Sequence, residues 1–151
     1  MSTLKVKLLE NFDKELPLPK YETSWAAGAD LRASIGPNES MIIKPGQRVL
    51  IPTGLAFEIE PGFEVQVRPR SGLSLKTGLM VVNSPGTIDA DYRGEVKIIM
   101  GNLGDKDEVI SHGDRVAQMV LMPVPQANFE IVDELSSTDR GAGGFGSTGK
   151  K

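Results

Sequence analysis

A chain of 151 residues suits one globular domain and leaves too little for two, which excludes a two-domain dehydrogenase or kinase. Seventeen basic against twenty acidic residues give a formal charge of −3, so no whole-surface footprint for a nucleic-acid duplex is expected, and any anion must be gripped locally. Hydrophobic residues at 39% and charged residues at 25% exclude a disordered chain, and zero cysteines exclude disulfide scaffolds and Cys-based zinc sites.

The start, MSTLKVKLLENF, carries no long apolar stretch behind a basic head, so no secretory signal is expected. No segment approaches the roughly 18 to 20 apolar residues of a membrane helix, and a soluble, cytoplasmic protein follows as the expectation. Glycine (17) and proline (10) punctuate the chain so densely that, between Pro17 and Pro125, the longest stretch free of both is Asp114–Met122. Long helices cannot fit there, because proline removes a helical hydrogen bond and glycine costs entropy.

Period-two alternation marks the strands in order. Leu4, Val6 and Leu8 alternate with Lys5 and Lys7; Leu55, Phe57 and Ile59 with Ala56, Glu58 and Glu60; Phe63, Val65 and Val67 with Glu64, Gln66 and Arg68. Each is expected to bury one face. Arg48–Ile51, Leu79–Val82, Glu95–Met100 and Val116–Met122 add apolar strands, separated by turns such as Lys44-Pro45-Gly46 and Glu60-Pro61-Gly62. One short helix is expected near Gly72–Lys76. Many short strands at this spacing predict an all-β sandwich, jelly roll or barrel. Residues 1–135 form the predicted β domain, and Ser136–Lys151, rich in Ser, Thr and Gly, a flexible tail.

Five segments carry chemistry. In Ala27-Gly28-Ala29-Asp30-Leu31-Arg32 an acid follows glycine and precedes an apolar residue. In Arg68-Pro69-Arg70-Ser71-Gly72-Leu73 the proline stops a strand just before the short helix, and the motif suits an anion site made of helix-start amides plus the Arg70 guanidinium and equally a turn whose surface arginine pairs with a carboxylate. Asn83-Ser84-Pro85-Gly86-Thr87-Ile88-Asp89-Ala90-Asp91-Tyr92-Arg93-Gly94 lies between two strands and predicts a hairpin with a long loop. Asp89 beside Ile88 suits a partly desolvated carboxylate drawing a proton from water, and Asp91 beside Arg93 a solvated turn, while these residues in isolation favour Asx turns for both. Arg115-Val116-Ala117-Gln118-Met119 sets polar side chains on a strand with apolar neighbours, where Gln118 either closes a core network or faces a site.

The fifth segment is the tail, Arg140 to Lys150. Gly141, Gly143 and Gly146 match a dinucleotide fingerprint, and Gly144–Lys150 most of a phosphate loop, yet both motifs need a strand before and a helix after. What remains is a run of glycine amides, the hydroxyls of Ser147 and Thr148, the fork of Arg140 and an isolated Phe145 able to stack on a base. The competing reading is a solvated terminus. His112, the only histidine, cannot build a metal site with no cysteine, and is expected to be an exposed turn residue; Trp25 is expected to pack.

Together, AGADL, PRSGL, NSPGTIDADYRG, RVAQM and RGAGGFGSTG, in that order from Asp30 to Gly149, resemble the five signature motifs of the homotrimeric dUTP diphosphatase (dUTPase) family. The resemblance implies a jelly-roll-like β subunit, a trimer with active sites between subunits, and magnesium-dependent hydrolysis of dUTP to dUMP and pyrophosphate, which lowers dUTP and supplies dUMP for thymidylate synthesis. It implies that Asp89 deprotonates the water attacking the α-phosphorus, that Tyr92 packs under the deoxyribose, and that Asn83 and the backbone of Gly86, Thr87 and Ile88 read uracil, with Lys97 beside them. Arg70, Ser71 and Gly72 resemble the phosphate cradle, Gln118 a partner of the α-phosphate or its water, and Asp30 an outer-shell partner of the hydrated metal. Arg140, Phe145, Gly146 and Ser147 resemble a lid over the uracil and terminal phosphate. Trp25 stands where the family tends to carry small residues. Two other readings compete: a dCTP deaminase of the same fold, against which the Phe145-containing tail and the Asn83–Tyr92 loop count, and a trimer that binds nucleotide without turnover, against which Asp89 counts.

Overall fold

A computed structural model describes residues 3–145. Ten strands and one helical turn and a half follow in chain order: β1 Lys5–Leu8, β2 Ala29–Arg32, β3 Ser40–Ile43, β4 Arg48–Glu58, β5 Phe63–Arg68, α1 Ser71–Lys76, β6 Leu79–Val81, β7 Gly86–Ile88, β8 Glu95–Asn102, β9 Glu108–Ser111 and β10 Arg115–Pro123. They form two four-stranded sheets, β1-β4-β8-β6 and β2-β10-β5-β7, and a two-stranded β3-β9 ribbon, with every pairing antiparallel. The all-β expectation holds, and α1 begins one residue before its expected start.

The core lies between the sheets. β8 shows the reason most plainly: Val96, Ile98 and Met100 point inward and are at most 1% exposed, while Glu95, Lys97 and Ile99 take the other face. On β5, Val65 and Val67 are buried and Glu64, Gln66 and Arg68 are not. Burying one such aliphatic side chain contributes about 1.5–3 kcal/mol, so these alternations decide which face of each strand turns inward.

Two strands depart from simple alternation. β4 is buried on both faces from Thr53 to Phe57, Ala56 included, because residues 9–12 cover its outer side. Leu9 N donates to Gly54 O, and Gly54 sits at φ +69 with the Phe12 backbone so near that a Cβ would lie 2.6 Å from its Cα. β1, at the edge of its sheet beside β4, is in contrast exposed at all four residues, Val6 and Leu8 included, so the burial of one face expected there is not met.

The segment expected to be a hairpin with a long loop is more structured. β6 and β8 do pair, Val81 opposite Met100. Between them the chain crosses to the second sheet and adds β7 alongside β5, with Gly86 opposite Val67 and Ile88 opposite Val65. Trp25, expected to pack, is 95% exposed. His112 lies in the expected turn but is not an exposed residue: Nε2 bonds Asp13 Oδ2 at 3.0 Å, and Gly36 N donates to Nδ1 at 3.2 Å. The amide occupying Nδ1 puts the proton of neutral His112 on Nε2, so the ring donates to Asp13. The Glu15 amide, and after it that bond from His112, hold the Asp13 carboxyl below its ordinary pKa.

Candidate active site

Two groups of polar residues form at opposite ends of β5. At the end where β5 runs into α1, antiparallel pairing sets Gln118 between Asp30 on β2 and Arg68 on β5. Arg70 Nε donates to Asp30 Oδ1 at 2.7 Å, Arg115 Nη1 to Asp30 Oδ2 at 3.1 Å, and Arg70 Nη1 to the Arg115 carbonyl at 3.3 Å. Gln118 Nε2 donates to Pro69 O at 2.9 Å. One carboxylate thus serves two guanidinium groups, and Arg32, opposite Arg115, adds a third cation nearby while donating to Gly113 O. The excess positive charge suits an anion, and among the described residues no acceptor meets the Arg70 Nη2 hydrogens.

Ser71 and Gly72 open α1 directly after Arg70, so their amides belong to a first turn that has no intrahelical acceptors. Space above Gly72 is open: a Cβ there would meet nothing within 4 Å. Asp30, Arg70, Ser71, Gly72 and Gln118, separated by up to 88 positions in the chain, are therefore brought together.

The second group lies on β7 and the loop beyond it. Gly86 is buried with the Asn83 amide nitrogen and Val67 close above it, so that a Cβ would sit 3.2 Å from Asn83 Nδ2. β7 is the outer strand of its sheet, so among the described residues its backbone groups on the side away from β5 have no strand partner. Asp89 follows at once and lies in an open groove of about 1230 Å³ that it shares with Glu64, Asp91 and Arg93. Asp89, the first residue after β7, is exposed in the single chain and not partly desolvated. Asp91 is exposed, as a solvated turn residue should be.

Tyr92 folds over Gly94 and donates to Glu95 O at 3.1 Å; a Cβ on Gly94 would lie 2.4 Å from its hydroxyl. Lys97 pairs with Glu95 Oε2 at 3.3 Å, while Glu95 Oε1 accepts from Asn11 Nδ2 and Gly54 N, both at 2.8 Å. Burial pushes the Glu95 carboxyl up, but these bonds outweigh it and hold its pKa below the ordinary value. Glu95 thus anchors the base of the loop; sequence reading missed it because its partners lie far away in the chain.

The two groups do not meet within one chain. Ile88 stands opposite Val65, so Asp89 aligns with Glu64, and Arg70 lies six residues further along. At about 3.3 Å per residue the separation is roughly 20 Å, several times the span of a triphosphate. Among the described residues the Arg140 side chain bonds within its own turn, Nε to Gly143 O at 2.8 Å, and Phe145 is fully exposed. Gly146 and Ser147 lie outside the described residues.

Among the described residues, no helix is long and apolar enough to cross a membrane. The family model described as dUTPase matches residues 14–149. A deoxyuridine 5'-triphosphate nucleotidohydrolase of Roseobacter denitrificans is 58% identical, covering 97% of this chain and 96% of its own. One of Bdellovibrio bacteriovorus, with the same coverage of each chain, is 57% identical. A solved structure of a Staphylococcus bacteriophage 80alpha dUTPase mutant with dUpNHpp superposes with TM-score 0.87 at 28% identity over 99% of both chains. A phage phi11 dUTPase mutant, whose structure is described as showing coordination of a structural Mg(II) ion, superposes with TM-score 0.78 at 25% identity over 90% of this chain and 100% of its own.

Proposed function

This chain belongs to the dUTPase family, and from that premise we infer that it hydrolyses dUTP to dUMP and pyrophosphate at sites assembled from more than one copy of the chain. The observation that carries the shared site is the position of Asp89 and Arg70 at opposite ends of β5. A contact in which the Asp89 end of one copy meets the Arg70 end of the next is head-to-tail and closes into a ring, three copies in the arrangement the resemblance implies. The segment after Val124, whose amide donates to Gly62 O, supports this: Phe129, Ile131 and Leu135 are 88% exposed or more, apolar side chains suited to another copy.

In this reading the edge backbone of Gly86, Thr87 and Ile88, with the Asn83 amide, reads the uracil, and Lys97 lies beside them. The Tyr92 ring, fixed over Gly94, packs under the deoxyribose and leaves no room for a 2′-hydroxyl. Asp89 takes a proton from water as the water oxygen bonds the α-phosphorus; the bond from that phosphorus to its bridging oxygen breaks and pyrophosphate departs. Arg70, Arg140 and the amides of Ser71 and Gly72 receive the charge on the leaving group, and Gln118 holds the α-phosphate or the attacking water. Residues 136–151 close over the substrate as a lid, with Phe145 over the base and Arg140, Gly146 and Ser147 on the terminal phosphate.

Asp30 fits an outer-shell role toward magnesium. Each of its carboxylate oxygens carries one guanidinium bond, which leaves lone pairs for a water of a hydrated cation. Magnesium bound to the triphosphate would neutralise part of its charge. A cytoplasmic setting accompanies this reading. The test is pyrophosphate release across the deoxynucleoside triphosphates with magnesium present. Release from dUTP alone, lowered roughly 100-fold or more in Asp89→Asn with dUpNHpp binding retained, is the expected result; ammonia from dCTP, or dUTP binding without turnover, would reject it.

A further inference from the structure

Arg115 and Gln118 stand three residues apart on β10, and in a regular strand that spacing sends side chains to opposite faces. The register with β2 shifts between them: Arg115 is opposite Arg32, and Ala117 is opposite Leu31, so Val116 is an extra residue. Val116 and Ala117 are consecutive and both wholly buried, as a bulge allows and simple alternation does not. The consequence is that Arg115 shares the face of Asp30, Arg32 and Gln118.

There the guanidinium meets the carboxylate that also holds Arg70. A single Arg70–Asp30 pair would offer a phosphate no net charge, and a carboxylate held on one oxygen is free to turn. The second guanidinium holds the other oxygen and leaves the cluster positive, while the Arg115 carbonyl accepts from Arg70 Nη1. We propose that Arg115, re-aimed by the bulge at Val116, is a positioning residue that acts through Asp30 to aim the Arg70 fork at the triphosphate. This rests on the reading of Arg70 as phosphate-binding.

The test measures binding of dUpNHpp and of deoxyuridine to the full chain by calorimetry, in Arg115→Gln, Arg115→Lys, Arg70→Gln and the double glutamine variant, with thermal unfolding as a check on folding. Arg115→Gln should weaken dUpNHpp about tenfold, the worth of one charge-assisted hydrogen bond, and leave deoxyuridine binding unchanged. Lysine at 115 should restore part of the loss. Once Arg70 is replaced, Arg115→Gln should add less than about twofold, because its route to the ligand is gone. Losses that multiply in the double variant, or unchanged affinity in Arg115→Gln, would overturn the proposal. If Arg70→Gln itself binds dUpNHpp as the parent does, the reading of the phosphate site fails first, and the role of Arg115 with it.

Discussion

Gly28 leaves open the space that the Gln118 carboxamide fills: a Cβ on residue 28 would stand 2.4 Å from Gln118 Oε1. The other end of that amide is held by Pro69 O, so the side chain is fixed from both sides. Gly28→Ala should displace Gln118 and lower turnover about tenfold or more, with little change in thermal unfolding, because precise placement of one hydrogen-bonding group carries that much of a rate. Steady-state kinetics on a variant shown to fold would check it; unchanged kcat would remove Gln118 from the site.

Separation of Asp89 from Arg70 makes mixing experiments informative. Asp89→Asn and Arg70→Gln should each be nearly inactive. Unfolded and refolded together in equal amounts, they should recover up to about a quarter of parental activity, since that share of randomly assembled shared sites draws both native residues from different copies. Recovery at the level of the separate variants would place both residues of a site on one chain.

Acid should weaken the base of the 83–94 loop through Glu95. Its folded pKa lies below the ordinary 4.5, so its contribution is present above that value and is lost as pH falls through the lower folded one. Asp13 and Glu58 shift in the same direction, so the comparison must isolate one group. At fixed protein concentration, the urea midpoint of the parent should exceed that of Glu95→Gln at pH 7, and the gap should narrow as pH falls below 4.5 through the lower folded value. A gap independent of pH would deny Glu95 this role.

Asn102 is 1% exposed and fully satisfied: Nδ2 donates to Ile43 O and Lys106 O, and Gly104 N donates to Oδ1, all at 2.8 Å. It ties β8 to the β3-β9 ribbon. Asn102→Ala strands three backbone groups and should cost about 2–4 kcal/mol in urea unfolding.

Removal of residues 136–151 should lower turnover roughly 100-fold while leaving thermal unfolding nearly unchanged, and Phe145→Ala should account for part of the loss. Full activity in the shortened chain would end the lid reading.

How much of this was legible beforehand differs from element to element. β5 and β8 were plain, because a strand with one buried face repeats every second residue and the sequence carries that repeat openly. β7 was hidden inside a segment rich in turn residues; Gly86, Thr87 and Ile88 form a strand only because β5 offers an edge to them. Arg115 gave no sign of sharing a face with Gln118, since their spacing argues the opposite until the bulge is seen. His112 looked like an isolated turn residue because Asp13, 99 positions away, is brought beside it only by folding.

From sequence alone came the all-β class, the strands β1, β4, β5, β6, β8 and β10 and the five motifs, because local alternation and short motifs are properties of neighbours in the chain. The tertiary structure alone decided that Asp30, Arg70, Arg115 and Gln118 form one cluster and that Asp89 lies at the far end of the strand from it. Strand register is a long-range choice, made by which faces bury together, and no local pattern records the partner across the sheet.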